Sequence, residues 1–132
     1  MFDANTKVLV IDDMRTMRKI VIKCLGEIGL KSVTEADDGA TGWEAIQKAL
    51  TEKAPFQLII SDWNMPILKG IELLKKVRAD AAMKSTPFFL VTAETELSQV
   101  SEAAQAGVSG YITKPFSPAT LKEKLEKASA KK

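Results

Sequence analysis

Five short apolar runs, Lys7–Ile11, Ser32–Ala36, Gln57–Ser61, Pro87–Val91 and Gly110–Thr113, alternate with longer stretches whose apolar residues recur at helical spacing. Parallel strands need long crossovers and usually take helices for them, so this alternation predicts a doubly wound α/β domain: a five-stranded parallel sheet with five helices on its two faces. A chain of 132 residues has the length for one such domain and one sheet-centred core.

The apolar residues fix the helices. Met14, Met17, Val21, Leu25 and Ile28 form one stripe of the first, with Arg15, Arg18, Lys19 and Lys23 turned away and Gly29 as a left-handed stop. The second runs from about Ala40 to Leu50 on Trp43, Ile46 and Leu50, and the third follows Gly70 on Ile71, Leu74 and Val77. The fourth buries Val100 and Ala104 and stops at Gly107. The fifth opens with Ser117-Pro118, a cap residue followed by proline at the first helical position, and buries Leu121 and Leu125.

Several function classes are excluded at this level. The chain has no histidine, which removes a Ser-His-Asp or Cys-His site, a histidine-ligated metal and a phosphohistidine. Cys24 is the only cysteine, so no internal disulfide forms, and its place among Val21, Leu25 and Ile28 makes it a core residue. A net charge of +2 with scattered basic residues gives no nucleic-acid footprint. The N-terminus lacks a secretory pattern and no run spans a bilayer, so a cytoplasmic protein without membrane insertion is expected.

The residues that carry chemistry gather at one edge of the sheet. Strands one, three, four and five end in turn with Asp12-Asp13, Asp62, Thr92 and Lys114, and in open parallel sheets ligands bind outside the carboxyl ends of the strands. Three carboxylates in one cleft repel one another unless a cation sits between them. An all-oxygen donor set that leaves room for water suits Mg2+ better than Ca2+. Lys114 and Thr92 exceed what a metal needs, but an ammonium and a hydroxyl are what a transferring phosphoryl group needs. Asp62, alone at its strand end and central in a 2-1-3-4-5 strand order, is the best candidate for a carboxylate that forms an aspartyl phosphate.

Taken singly, each residue has a plainer reading: Asp13 as a helix cap, Thr92 as a satisfied strand-end hydroxyl, Lys114 as a solvated lysine. Their convergence outweighs those readings. Asp37-Asp38 is the control, a second pair between strand and helix with no partner set, for which capping or turn roles are expected.

The set Asp12, Asp13, Asp62, Thr92 and Lys114 resembles the receiver domain of two-component response regulators. The runs TMRKIV, SDWNMP, LLKKVRAD, VTAE, AAQAGVSGY, KPF and TLKEKL resemble its single-domain chemotaxis members. The resemblance covers nearly the whole chain and implies a flavodoxin-like fold, a single receiver domain over 1–132 with its core at about 6–128, and no output domain.

It further implies that a chemotaxis-type histidine kinase phosphorylates Asp62. Mg2+ would be held by Asp13, Asp62 and the backbone carbonyl of Asn64, with Asp12 acting through water. Lys114 would contact the phosphoryl oxygens, Thr92 would bond the phosphoryl group, and the Tyr111 ring would swing inward. The face of the fourth helix, fifth strand and fifth helix would then change its affinity for a flagellar motor switch protein.

Asn64 and Glu94 would tune the lifetime of the phosphorylated state, a phosphatase would be a further partner, the protein would be a monomer, and the Lys114-Pro115 bond would be cis. Lys69 stands where the family often carries an acidic or amide residue, so altered metal affinity or phosphate lifetime is expected there. Arg15 would reach the cleft mouth. Trp63 would be partly exposed and Trp43 would pack the second helix, while Asp13 could cap the first helix as well as bind metal.

Three other readings stand beside this one. The nearest is a stand-alone receiver acting as a phosphorelay intermediate or a phosphate sink for a kinase. An aspartate-based phosphohydrolase spaces two aspartates by one residue, and Met14 occupies that position. A flavodoxin-like cofactor binder must accept a phosphate where Asp12-Asp13 would repel it.

Overall fold

Successive residues of a strand face opposite sides of its sheet, so strands that bury every residue must be covered on both faces. In the computed structural model this holds for Val8–Ile11 of β1 (Lys7–Ile11), the whole of β3 (Leu58–Asp62) and Phe88–Val91 of β4 (Phe88–Thr92), and the sheet order is β2-β1-β3-β4-β5 with every pairing parallel. Residues 4–63, 65, 67–92, 97–113 and 117–130 are described, with the backbone alone for 92, 97–100, 113 and 128–130. The outer strands are β2 (Ser32–Ala36) and β5 (Gly110–Thr113). Strands three and four extend one residue further than expected, so Asp62 and Thr92 close their ladders rather than follow them.

The parity of the strands separates two cores. Val8, Val10, Leu58, Ile60, Phe89, Val91 and Ile112 pack against Val21, Cys24 and Leu25 of α1 (Arg15–Glu27) and Leu121 and Leu125 of α5 (Pro118–Ala130). Leu9, Ile11, Ile59, Phe88 and Leu90 meet α2 (Gly39–Thr51), α3 (Gly70–Ala79) and α4 (Leu97–Gln105) on the other side. Cys24 lies in the first core, and burial pushes its thiol up, so little thiolate forms at neutral pH.

The helix ends follow their local chemistry. Gly29 has φ +94° just past α1, a conformation that costs a Cβ-bearing residue free energy. Asp38 caps α2: its Oδ1 accepts from the Thr41 amide at 2.8 Å, while its own amide donates to Thr41 Oγ1 at 3.2 Å. Asp37 accepts from the same hydroxyl at 2.9 Å, so the second acidic pair does the turn and capping work expected of it. Ser117 Oγ accepts from the Thr120 amide at 3.2 Å and starts α5.

Four expectations about packing are corrected. Met14 is 56% exposed because α1 begins one residue later and leaves it in extended backbone at the helix entrance. In α4 the inward alanine is Ala103 and Ala104 is exposed; two adjacent alanines leave the phase of the stripe undetermined in sequence, and the side chain of Val100 lies outside the described residues. Trp63 is 5% exposed, within the core that α2 and α3 cover, because its amide bonds the Val91 carbonyl and carries the β3 ladder one step further. Arg18 does not turn away from the domain but folds back onto the end of β1. Trp43 packs half-buried against the core beside Lys76, as expected of a residue that seats α2.

Among the described residues Ile67 is the most exposed large apolar side chain. It is 81% exposed and has φ +70°, in a region that a β-branched side chain enters at a cost of about 1–2 kcal/mol. Ile67→Asn, which tolerates that backbone, is expected to raise the urea midpoint by about 1 kcal/mol of stability at unchanged slope. An unchanged or lower midpoint refutes the strain.

Candidate functional site

The register of the central strands explains why the carboxylates meet. Val10 pairs with Ile60 and Ile11 with Ser61, so the next residues along the two strands, Asp12 and Asp62, come side by side. Both have the parity of the residues that face α1 and α5, and both are buried, at 2% and 8% exposure. Asp13, one residue on and out of the sheet, is exposed. Oxygens of Asp12, Asp13 and Asp62 all lie within 4.8 Å of one another.

The turn after β1 is built by Asp12. Its amide donates to the Ala36 carbonyl at 3.2 Å, closing the β1–β2 ladder, and its Oδ1 accepts from the Met14 amide at 2.9 Å. The residue at the α1 cap position is Met14, which makes no side-chain cap, so Asp13 does not cap α1. Its carboxylate has no helix end to satisfy, which strengthens the case for a role in the cluster.

Two glycines bring the other walls in. A Cβ on Gly70 would overlap the carbonyl oxygen of Asp62 and come within 2.9 Å of the Leu90 side chain, so the start of α3 lies directly on the end of β3. A Cβ on Gly39 would overlap the Leu68 carbonyl, which presses the β3–α3 loop from the α2 side. Ser61, fully buried beside Asp62, places its hydroxyl 3.0 Å from the Asp62 carbonyl. Sequence reasoning read Gly70 only as a helix boundary and gave Gly39 and Ser61 no part in the site; the signal for the glycines was their place at the entrances of α2 and α3.

The other expected residues fall as follows. Thr92 is the last residue of β4 and pairs with Thr113, which puts it at the same sheet edge as Asp62. Tyr111 is half-buried in β5, opposite Leu90. Arg15 is exposed at the first position of α1. Asn64, Glu94, Lys114 and the Lys114-Pro115 bond lie outside the described residues.

Lys69 is exposed at the cap position of α3 and its amide donates to Glu72 Oε1 at 3.0 Å, but its side chain caps nothing. A cation at a helix N-terminus opposes the helix dipole. Lys69→Asp is therefore expected to add a cap worth about 1 kcal/mol, read as a higher urea midpoint. It also exchanges a positive for a negative charge near the carboxylates, so Mg2+ binding should tighten or the phosphate lifetime change. A stability gain with both unchanged limits Lys69 to the helix end.

Comparison with known proteins agrees with this geometry. The family model for the response regulator receiver domain matches residues 8–126. The chain is 49% identical over 123 residues to chemotaxis protein CheY-3 of Vibrio cholerae serotype O1, covering 93% of this chain and 91% of that protein. It is 46% identical over 121 residues to chemotaxis protein CheY of Pseudomonas aeruginosa, covering 92% and 94%. The structure of Vibrio cholerae CheY4 crystallised at low pH superposes with a TM-score of 0.80 at 39% identity, over 93% of this chain and 98% of that one. A receiver-domain match over most of the length, joined to three carboxylates at the ends of adjacent parallel strands, places this chain in the response regulator receiver domain family.

Proposed function

We propose that the chain is a phosphorylation-activated switch of the chemotaxis type, in which Asp62 accepts a phosphoryl group from a histidine kinase in a Mg2+-dependent reaction. The observation that carries the reading is the triad Asp12, Asp13 and Asp62, with mutually close oxygens and two of the three buried. Such a set is self-repelling alone and complementary to a hard divalent cation.

Asp13, Asp62 and the Asn64 carbonyl would hold Mg2+, with Asp12 acting through water. Bound there, the ion would offset the negative charge of the carboxylates and the phosphoryl oxygens. A carboxylate oxygen of Asp62 attacks phosphorus. The bond from phosphorus to the donor breaks, and its electron pair leaves with the donor, on the imidazole nitrogen of a phosphohistidine or the acyl oxygen of acetyl phosphate. Lys114 and Thr92 hold the phosphoryl oxygens, and Asn64, Glu94 and Lys69 set how soon water removes the group.

Thr92 and Tyr111 then carry the change to the face of α4, β5 and α5. Identity of 46% and 49% to two chemotaxis proteins supports a flagellar motor switch protein as the target rather than a relay. A monomer in the cytoplasm, served by a chemotaxis-type kinase and a phosphatase, fits this work. No helix among the described residues is long and apolar enough to cross a membrane.

The test is incubation with Mg2+ and acetyl phosphate followed by intact mass measurement. One added phosphoryl group is expected, lost when Mg2+ is chelated. No adduct, or an adduct indifferent to chelation, overturns the reading.

A further inference from the structure

The Asp12 carbonyl, in the β1–α1 turn, is held by a charged side chain of α1. Arg18, one turn into α1, donates from Nη1 to that carbonyl at 2.7 Å and from Nε to Glu35 Oε1 at 3.1 Å. Glu35 lies on β2 next to Ala36, whose own carbonyl accepts from the Asp12 amide. The edge strand therefore grips Asp12 twice, once directly and once through the guanidinium.

The bonded carbonyl belongs to the peptide that joins Asp12 to Asp13. With its plane fixed by Arg18, and with Asp12 Oδ1 tied to the Met14 amide, the directions in which both carboxylates leave the backbone are set before any ion arrives. We propose that Arg18 is a positioning residue for the carboxylate pair, with Glu35 as its anchor, and that its forked geometry rather than its charge preorganises the site for Mg2+. The inference rests on the Mg2+-dependent reading above and extends it to two residues outside the triad.

Two physical points favour geometry over the alternatives. The pair lines an open groove of about 280 Å³ together with Ala36, Asp37 and Thr41, so water reaches it and the ion pair by itself adds little stability. A positive charge beside three carboxylates relieves their repulsion in the ion-free protein, so on charge alone Arg18 would weaken Mg2+ binding. A planar guanidinium satisfies two acceptors in a fixed fork, whereas a lysine offers a point charge to one. Arg18→Lys thus separates the two roles.

The experiment measures Mg2+ affinity by isothermal titration, alongside urea midpoints, for wild type, Arg18→Lys, Arg18→Met, Glu35→Ala and the Arg18→Lys/Glu35→Ala double variant. Loss of a residue that orients a metal ligand typically weakens affinity by about 10–100-fold, so Arg18→Lys and Arg18→Met should each raise the dissociation constant about tenfold. Glu35→Ala, on an exposed edge-strand position, should weaken binding less, and adding it to Arg18→Lys should cost almost nothing further, because both act through one contact. Wild-type affinity in Arg18→Lys with tighter binding in Arg18→Met overturns the proposal in favour of charge. Lower midpoints with unchanged affinities overturn it in favour of a purely structural tie. Wild type that binds no Mg2+ overturns this inference and the functional reading together.

Discussion

Asp62→Asn is expected to abolish the phosphoryl adduct formed with acetyl phosphate while making the Mg2+-free protein more stable than wild type. The loss follows from chemistry: an amide of the same shape has no anionic oxygen to attack phosphorus. The gain follows from the cluster, whose three carboxylates have oxygens within 4.8 Å of one another and two of which are buried. Removing one charge relieves two repulsive pairs in a place where water screens them poorly. Mg2+ bound only to the folded state raises stability by RT ln(1 + [Mg2+]/Kd). Wild type should therefore gain on adding Mg2+, Asp62→Asn should gain less, and the two midpoints should converge or cross. Intact mass and urea melts with and without Mg2+ check both halves. An equal adduct on the variant would move the phosphoacceptor elsewhere; a variant less stable than wild type without Mg2+ would mean that hydrogen bonds of the Asp62 carboxylate outweigh its repulsion.

How much of this was legible in the sequence depended on the range of the interaction involved. The central strands were legible because burial on both faces leaves short, nearly unbroken apolar runs, as in Val8–Ile11 and Leu58–Ile60. The meeting of Asp12 with Asp62 was legible because parallel strands in register carry their carboxyl ends to the same edge. Arg18 was not. Helical periodicity placed it on the polar face of α1 with Lys19 and Lys23, and only the position of β2 beside β1 reveals that Glu35 and the Asp12 carbonyl await it. Trp63 was misjudged for a similar reason: proximity to the cleft suggested exposure, but strand parity sends its ring to the opposite face. Ala103 and Ala104 show the limit of pattern reading, since two identical neighbours carry no phase.

Gly70→Ala should cost stability and Mg2+ affinity together. The new Cβ would overlap the carbonyl oxygen of Asp62 on one side and press the Leu90 side chain at 2.9 Å on the other, with the Gly70 amide already bonded to the Trp63 carbonyl at 3.0 Å. A flexible side chain could step aside, but a strand carbonyl cannot without displacing the strand or the helix. Overpacking of this kind costs about 1–3 kcal/mol, and a backbone obstacle puts Gly70→Ala at the upper end. Since the obstacle is the carbonyl of the proposed phosphoacceptor, relief on the strand side moves Asp62 relative to Asp12 and Asp13, so Mg2+ affinity and adduct formation should fall with stability. Gly26→Ala is the matched control: its Cβ would meet nothing within 4 Å inside α1, and the same methyl group there should stabilise by about 0.5–1 kcal/mol. Urea midpoints moving in opposite directions, with Mg2+ affinity lost only in Gly70→Ala, would show that the close approach of α3 to β3 sets the position of Asp62. Equal midpoints, or a destabilised Gly70→Ala that binds Mg2+ as wild type does, would show that α3 can back away from the sheet and leave the carboxylate where it is.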